Sequence, residues 1–144
     1  MLPITPPVLA QIKVLLSTAA FTPVLTGGSW IGDPPEGAAV QRPYLIWKPV
    51  SEALLRYTQP GKGRYDECSI DATMVYDDYT ICNNLLGQLD NLIKTLQDNA
   101  PVQIGQPGQG LQLIYARGEH FRQAQELQIW ELTRTYAFRV GQPR

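Results

Sequence analysis

The sequence predicts a mixed domain in which strands and two amphipathic helices share one core. Three observations predict it: alternation with a period of two from Tyr65 to Tyr76, a run of leucines at steps of three and four from Ile81 to Leu96, and a second alternating stretch from Trp130 to Val140. In the first, Cys68, Ile70, Ala72, Met74 and Tyr76 point one way and Glu67, Ser69, Asp71 and Thr73 the other, as in a strand with one face on a core. The period then changes abruptly at Asp77-Asp78, and Ile81, Leu85, Leu86, Leu89, Leu92, Ile93 and Leu96 line one side of a long helix. Two acids at this point satisfy free N–H groups of the first turn and suit its positive end, so they need no chemical role.

The earlier elements follow from the same rules. Thr5-Pro6 is a helix start, and Val8, Leu9, Ile12, Leu15, Leu16 and Ala19 form the apolar stripe of a helix reaching about Thr18. Pro23, Gly27 and Gly28 break it, and Ser29-Trp30-Ile31-Gly32 reads as a short strand. Arg42 to Val50 is a strand in which Pro49 signals an edge, a bulge or the strand's end, and Ser51 to Thr58 continues as extended chain. Gln59-Pro60-Gly61-Lys62-Gly63-Arg64 then reads as a hairpin loop with a basic tip at Lys62 and Arg64. It lacks the earlier glycine and the hydroxyl residue after lysine that a phosphate-cradling loop needs.

After the long helix, Asp98 to Pro101 ends it and Gly105 to Gly110 is a connector. Leu111 to Ala116 is a strand, Gly118 to Gln125 reads as a polar turn or loop, and Trp130, Leu132, Tyr136, Phe138 and Val140 mark the last strand. Arg134 interrupts that apolar side, which puts it at the rim of the core or at an interface.

Composition narrows the function. The chain has 144 residues, a length that suits one domain burying roughly two thirds of its unfolded surface. Only 17% of residues are charged, which leaves polar uncharged side chains and 12 prolines to cover the surface and fits burial against other subunits. With a formal net charge of −1 and mixed signs, the chain lacks the basic footprint of a nucleic-acid binder. Cys68 and Cys82 read as small buried hydrophobes, with a disulfide between them as the alternative; they have neither the spacing nor the company of a metal site. The N-terminal segment has no base before Lys13 and is broken by prolines, so it does not read as a signal peptide, and no apolar run approaches the ~18 residues of a membrane span. These features point to a soluble protein made in the cytoplasm.

No catalytic pattern stands out. The single histidine, His120, lies in a polar stretch with no nucleophile placed beside it by sequence. Asp66, Glu67 and Asp71 suggest a carboxylate pair only superficially, because Glu67 and Asp71 fall on the polar face of a strand. The glycine-rich, nucleophile-elbow and zinc-helix motifs are absent. The sequence predicts no enzyme, no cofactor and no metal.

The order of parts resembles another class. An amphipathic N-terminal helix, a Pro-rich loop into RPYLIW, a Gly-rich hairpin, ECSIDATMVYDD running into a leucine-rich helix and a closing RTYAFRV strand resemble the small tail-completion or tail-terminator proteins of long-tailed bacteriophages. The resemblance spans nearly the whole chain by element order and pins no functional residue. It implies an α+β fold, with an antiparallel β-sheet packed on one side by the N-terminal helix and the long central helix. It also implies a virion protein acting as a ring, usually of six copies, that caps the tail tube and joins it to the head. The implied partners are copies of itself, the tail tube protein and head–tail connector or neck proteins, with DNA passing through the ring without sequence-specific binding and no membrane involved. On this reading the free sheet face meets neighbours through heterologous contacts, and Lys62, Arg64 and Arg134 are the candidate interaction residues. Loops at 33 to 41, 59 to 64 and 103 to 110 are expected to become ordered on docking. The rivals are a head–tail connector or stopper ring and, from another class, a small cytoplasmic module with a ligand pocket between sheet and helices.

Overall fold

The computed structural model describes residues 5–32, 41–53, 64–98, 102–104, 110–124 and 129–142. Helix α1 (Thr5–Ser17) comes first, followed by a single 3-10 turn at Thr22–Val24 and strand β1 (Ser29–Ile31). Strands β2 (Tyr44–Ala53) and β3 (Arg64–Tyr76) lead into helix α2 (Tyr79–Asp98), and β4 (Val102–Gln103), β5 (Gly110–Ala124) and β6 (Ile129–Gln142) complete the chain. The fold is α+β, and its six strands form one sheet in the order β1-β2-β3-β6-β5-β4.

Pairing is antiparallel throughout except at one edge. There β1 lies parallel to β2, with Trp30 opposite Ile46, so the expected antiparallel sheet carries one parallel edge strand. The reason is local: α1 and the turn after it return the chain to the edge running in the direction of β2. Gly27 makes the approach possible, since a Cβ there would stand 1.8 Å from the Gln41 carbonyl oxygen. Its N–H bonds the Pro43 carbonyl at 3.0 Å, next to a cis Arg42–Pro43 peptide. Gly28 takes a positive φ of 81°, which residues with a Cβ rarely adopt, and its carbonyl then accepts from Leu45 N–H at 3.0 Å.

Side-chain alternation assembles the core as the periods predict. Leu45 and Trp47 of β2, Cys68, Ile70, Ala72 and Met74 of β3, and Leu132, Tyr136, Phe138 and Val140 of β6 are all buried in one continuous cluster. Val8, Leu9, Ile12 and Leu16 of α1 and Cys82, Leu85, Leu86, Leu89, Ile93 and Leu96 of α2 close over it. Both helices therefore pack into the same face, with α2 lying over β3, β6 and β5. Asp78 caps α2 by accepting the Ile81 N–H at 3.0 Å, and Asp77 turns instead to Arg42, at 2.6 Å.

Two sequence expectations change, and one alternative is settled. Gly118 to Ala124 of the expected turn are strand, Gln125 lying outside the described residues: β5 continues to Ala124, paired with β6 through irregularities between Leu113 and Tyr115 and between Arg117 and Glu119. The bulges take up extra residues, which lets a strand of imperfect alternation keep its partner. Pro49 sits at another register shift, before Ser51, the bulge that its missing N–H favours. Ile81 is 44% exposed, so the buried stripe of α2 begins at Cys82. Both cysteines are buried and no disulfide joins them, which answers the disulfide alternative.

Candidate functional site

Three features of the folded chain offer chemistry or contact: a polar sheet face, a charged group inside the core, and a cleft at the sheet edge.

The polar face is the one turned away from the helices. Glu67, Ser69, Asp71 and Thr73 of β3 lie beside Glu131, Thr133, Thr135 and Arg139 of β6, all half-buried, with Lys48 of β2 exposed. Neighbours in register bond to one another: the Thr73 and Thr133 hydroxyls lie 2.8 Å apart, and the Thr135 hydroxyl donates to Asp71 at 2.6 Å. Glu67 stands opposite Arg139. Asp71 is thus a cross-strand hydrogen-bond acceptor, and nothing pairs it with Glu67 as two reacting carboxylates would be. Such a face presents mixed charges and hydroxyls at fixed spacing, which suits shape and polar complementarity more than covalent chemistry.

The charged group inside the core was missed by sequence reading. Asp90, 6% exposed, faces inward from α2 among the leucines. Its two oxygens meet Lys94, one helical turn on, at 2.9 Å and the Arg134 guanidinium of β6 at 3.6 Å. Arg134 is accordingly half-buried and directed at its own chain's helix. Tyr136 lies in the same environment, and burial first, then the Asp90 carboxylate, push its phenol above the ordinary 10.0. The signal was present: two lone charges of opposite sign, one on each of two apolar faces that were expected to meet.

The cleft lies between α1 and the sheet edge and has a volume of ≈ 400 Å³. Leu9, Ile12 and Leu16 form one wall and Ile31 and Trp47 the other, with Lys13, Ser17, Thr22 and Ser29 as its polar groups. Trp47 is fixed by donating its ring N–H to the Ser29 hydroxyl at 3.1 Å, and Trp30 by donating to the Gly27 carbonyl at 2.8 Å. The mouth carries the most exposed large apolar residue of the described chain, Ile31, at 63%.

Of the residues expected to make contacts, Arg134 is placed as above, and Arg64 opens β3 opposite Gln142 with only its backbone described. Lys62 lies outside the described residues, as do most of the three loops expected to order on docking. The backbone of His120 pairs with Thr133 within β5. Among the described residues no group of three or more His, Cys, Asp and Glu side chains could hold a metal ion, and no helix is long and apolar enough to cross a membrane.

This fold class, a mixed sheet with two helices on one face, has a counterpart among solved structures. The chain superposes on one from the virion of a native gene transfer agent (GTA) particle with a TM-score of 0.57 and 12% identity, covering 91% of this chain and 92% of that one. At that identity the likeness is one of fold. No family model and no curated protein matches the sequence.

Proposed function

We propose that the chain is a structural protein of a tailed phage or phage-like virion, working as a tail terminator: a ring of identical subunits, six on the resemblance drawn above, that caps the tail tube and joins it to the head. The observation that carries this reading is the end-to-end likeness to a virion chain, in which nine tenths of each chain is matched. Helices cover one face of the sheet and leave cross-strand polar pairs on the other, so subunit contacts have a surface to use. Arg64, the first residue of β3, and Lys62, two positions before it in the sequence, are the proposed docking contacts to an adjoining ring or to the tube. Arg134 belongs to this set only through its partly exposed head, since its near partner is Asp90.

Mechanism on this reading is stoichiometric. A ring docks on the last ring of tube subunits, and the buried contact ends further growth; the neck proteins then meet its opposite side. The chain serves in the virion, with self, tube and neck proteins as partners, and catalysis has no part in it. Mixing the purified protein with tail tubes of its own phage tests the assignment. Image reconstruction should show added density at one tube end; density on the portal of the head instead would favour the connector or stopper ring.

The cleft at α1 gives one observation to the rival small-molecule reading, since ≈ 400 Å³ falls within the ~300–1,000 Å³ of ligand pockets. A monomer that binds an apolar metabolite there would support it.

A further inference from the structure

Ring closure by identical subunits needs two different patches on each copy, one fitting the other. Two patches on this chain are opposite in charge, and one is an apolar recess where the other presents exposed apolar groups. The first is the α1–β1 cleft, apolar along Leu9, Ile12, Leu16 and Ile31, with Lys13 as its charged group. Lys13 is exposed, and among the described residues no acid forms an ion pair with it. The second is the turn that opens α2. Ile81 and Tyr79 stand there 44% and 43% exposed, two neighbouring large apolar groups that keep much of their surface in water. Asp78 is three residues before Ile81 and bonds its N–H, so a carboxylate and an exposed aliphatic group occupy the same side of the turn. Tyr79 is braced edge to face against Trp130, ring centres 4.9 Å apart, which makes the turn a preformed projection.

The geometry points to a head-to-tail contact between copies of this chain, in which the Asp78–Ile81 turn of one subunit seats Ile81 in the α1–β1 cleft of the next and sets Asp78 against Lys13. This rests on the ring reading above and specifies which surfaces close the ring. Charge complementarity chooses the occupant: an acid beside a projecting apolar group meets a base beside an apolar recess, and both belong to one sequence. A pairing of this kind joins two different patches, and it closes a ring when each subunit gives its turn to one neighbour and its cleft to the other.

Complementation between two crippled variants tests it. Ile81→Asp spoils the projection and Ile31→Asp spoils the recess, and both positions are exposed, so folding is retained as judged by circular dichroism. Each variant alone should assemble at least about tenfold less readily than the parent in light scattering coupled to size exclusion. An equimolar mixture should give dimers and no ring, because one intact contact remains between the two variants. Asp78→Asn, which keeps the helix cap but removes the charge, should weaken parent assembly at low salt and make little difference at high salt. If the parent forms rings and both variants do so equally well, this contact is wrong while the ring reading stands. If the parent stays monomeric at every concentration and a small apolar carboxylate fills the cleft instead, both are overturned.

Discussion

Asp90 is one of two carboxylates buried among the described residues, with Asp66, and its ion-pair partners span helix and sheet. A carboxylate placed among leucines is tolerable only while Arg134 and Lys94 compensate it, and the pair holds α2 in one register over β6. Removing a partner leaves the buried carboxylate less compensated, so Arg134→Met alone should destabilise the fold by about 2–3 kcal/mol. Replacing both by apolar residues of similar size, Asp90→Leu with Arg134→Met, should recover most of that loss; urea unfolding of the single and double variants measures both. Two neutral groups in the same core set the alkaline limit. Burial pushes the Cys82 thiol up from 9.0 to about 11, and Tyr136 is raised above 10.0. Both must stay protonated in the folded state, so their contribution is complete below about pH 9 and is lost as pH rises toward and past 11. The unfolding midpoint should therefore fall between pH 9 and 11, with a smaller fall in Cys82→Ala; a flat profile would mean that neither group is as enclosed as it stands here.

At the scale of elements, β1 is the most conditional piece, because a three-residue parallel edge strand depends on the close approach at Gly27. Gly27→Ala must push the Gln41 backbone away, and it should cost about 3 kcal/mol by thermal or urea unfolding while leaving the β3–α2 unit intact. The same elements show how much was legible from residues alone. The β3–α2 junction could be read closely, since period, cap and stripe all agree there, and Asp78 bonds the Ile81 N–H as its position implies. The end of β5 could not, because residues 118 to 124 are polar, include a glycine and alternate poorly; their strand is imposed by pairing with β6, a tertiary effect. The edge strand was visible as a strand but not its direction, which depends on the glycines packing against Gln41 and Leu45 rather than on any pattern within β1. The Asp90–Arg134 pair lay between these cases: each charge was visible as an exception, and only the packing of α2 on β6 brings them together.

For the whole molecule, the two faces of the sheet divide the work. The helix-covered face carries stability, and on the proposed reading the polar face, the edge cleft and the α2 turn are the surfaces that meet neighbours. Charge reversal at the two bases of the Gln59-to-Arg64 stretch, Lys62→Glu with Arg64→Glu, should reduce the yield of infectious particles without lowering the unfolding midpoint. Unchanged infectivity would remove those residues from docking. That the chain works by contact between subunits is the central claim, and molar mass in solution tests it most directly. Light scattering coupled to size exclusion, run over a range of concentrations, should give a closed oligomer near six times the 16.1 kDa chain. A mass of one chain at every concentration would contradict it.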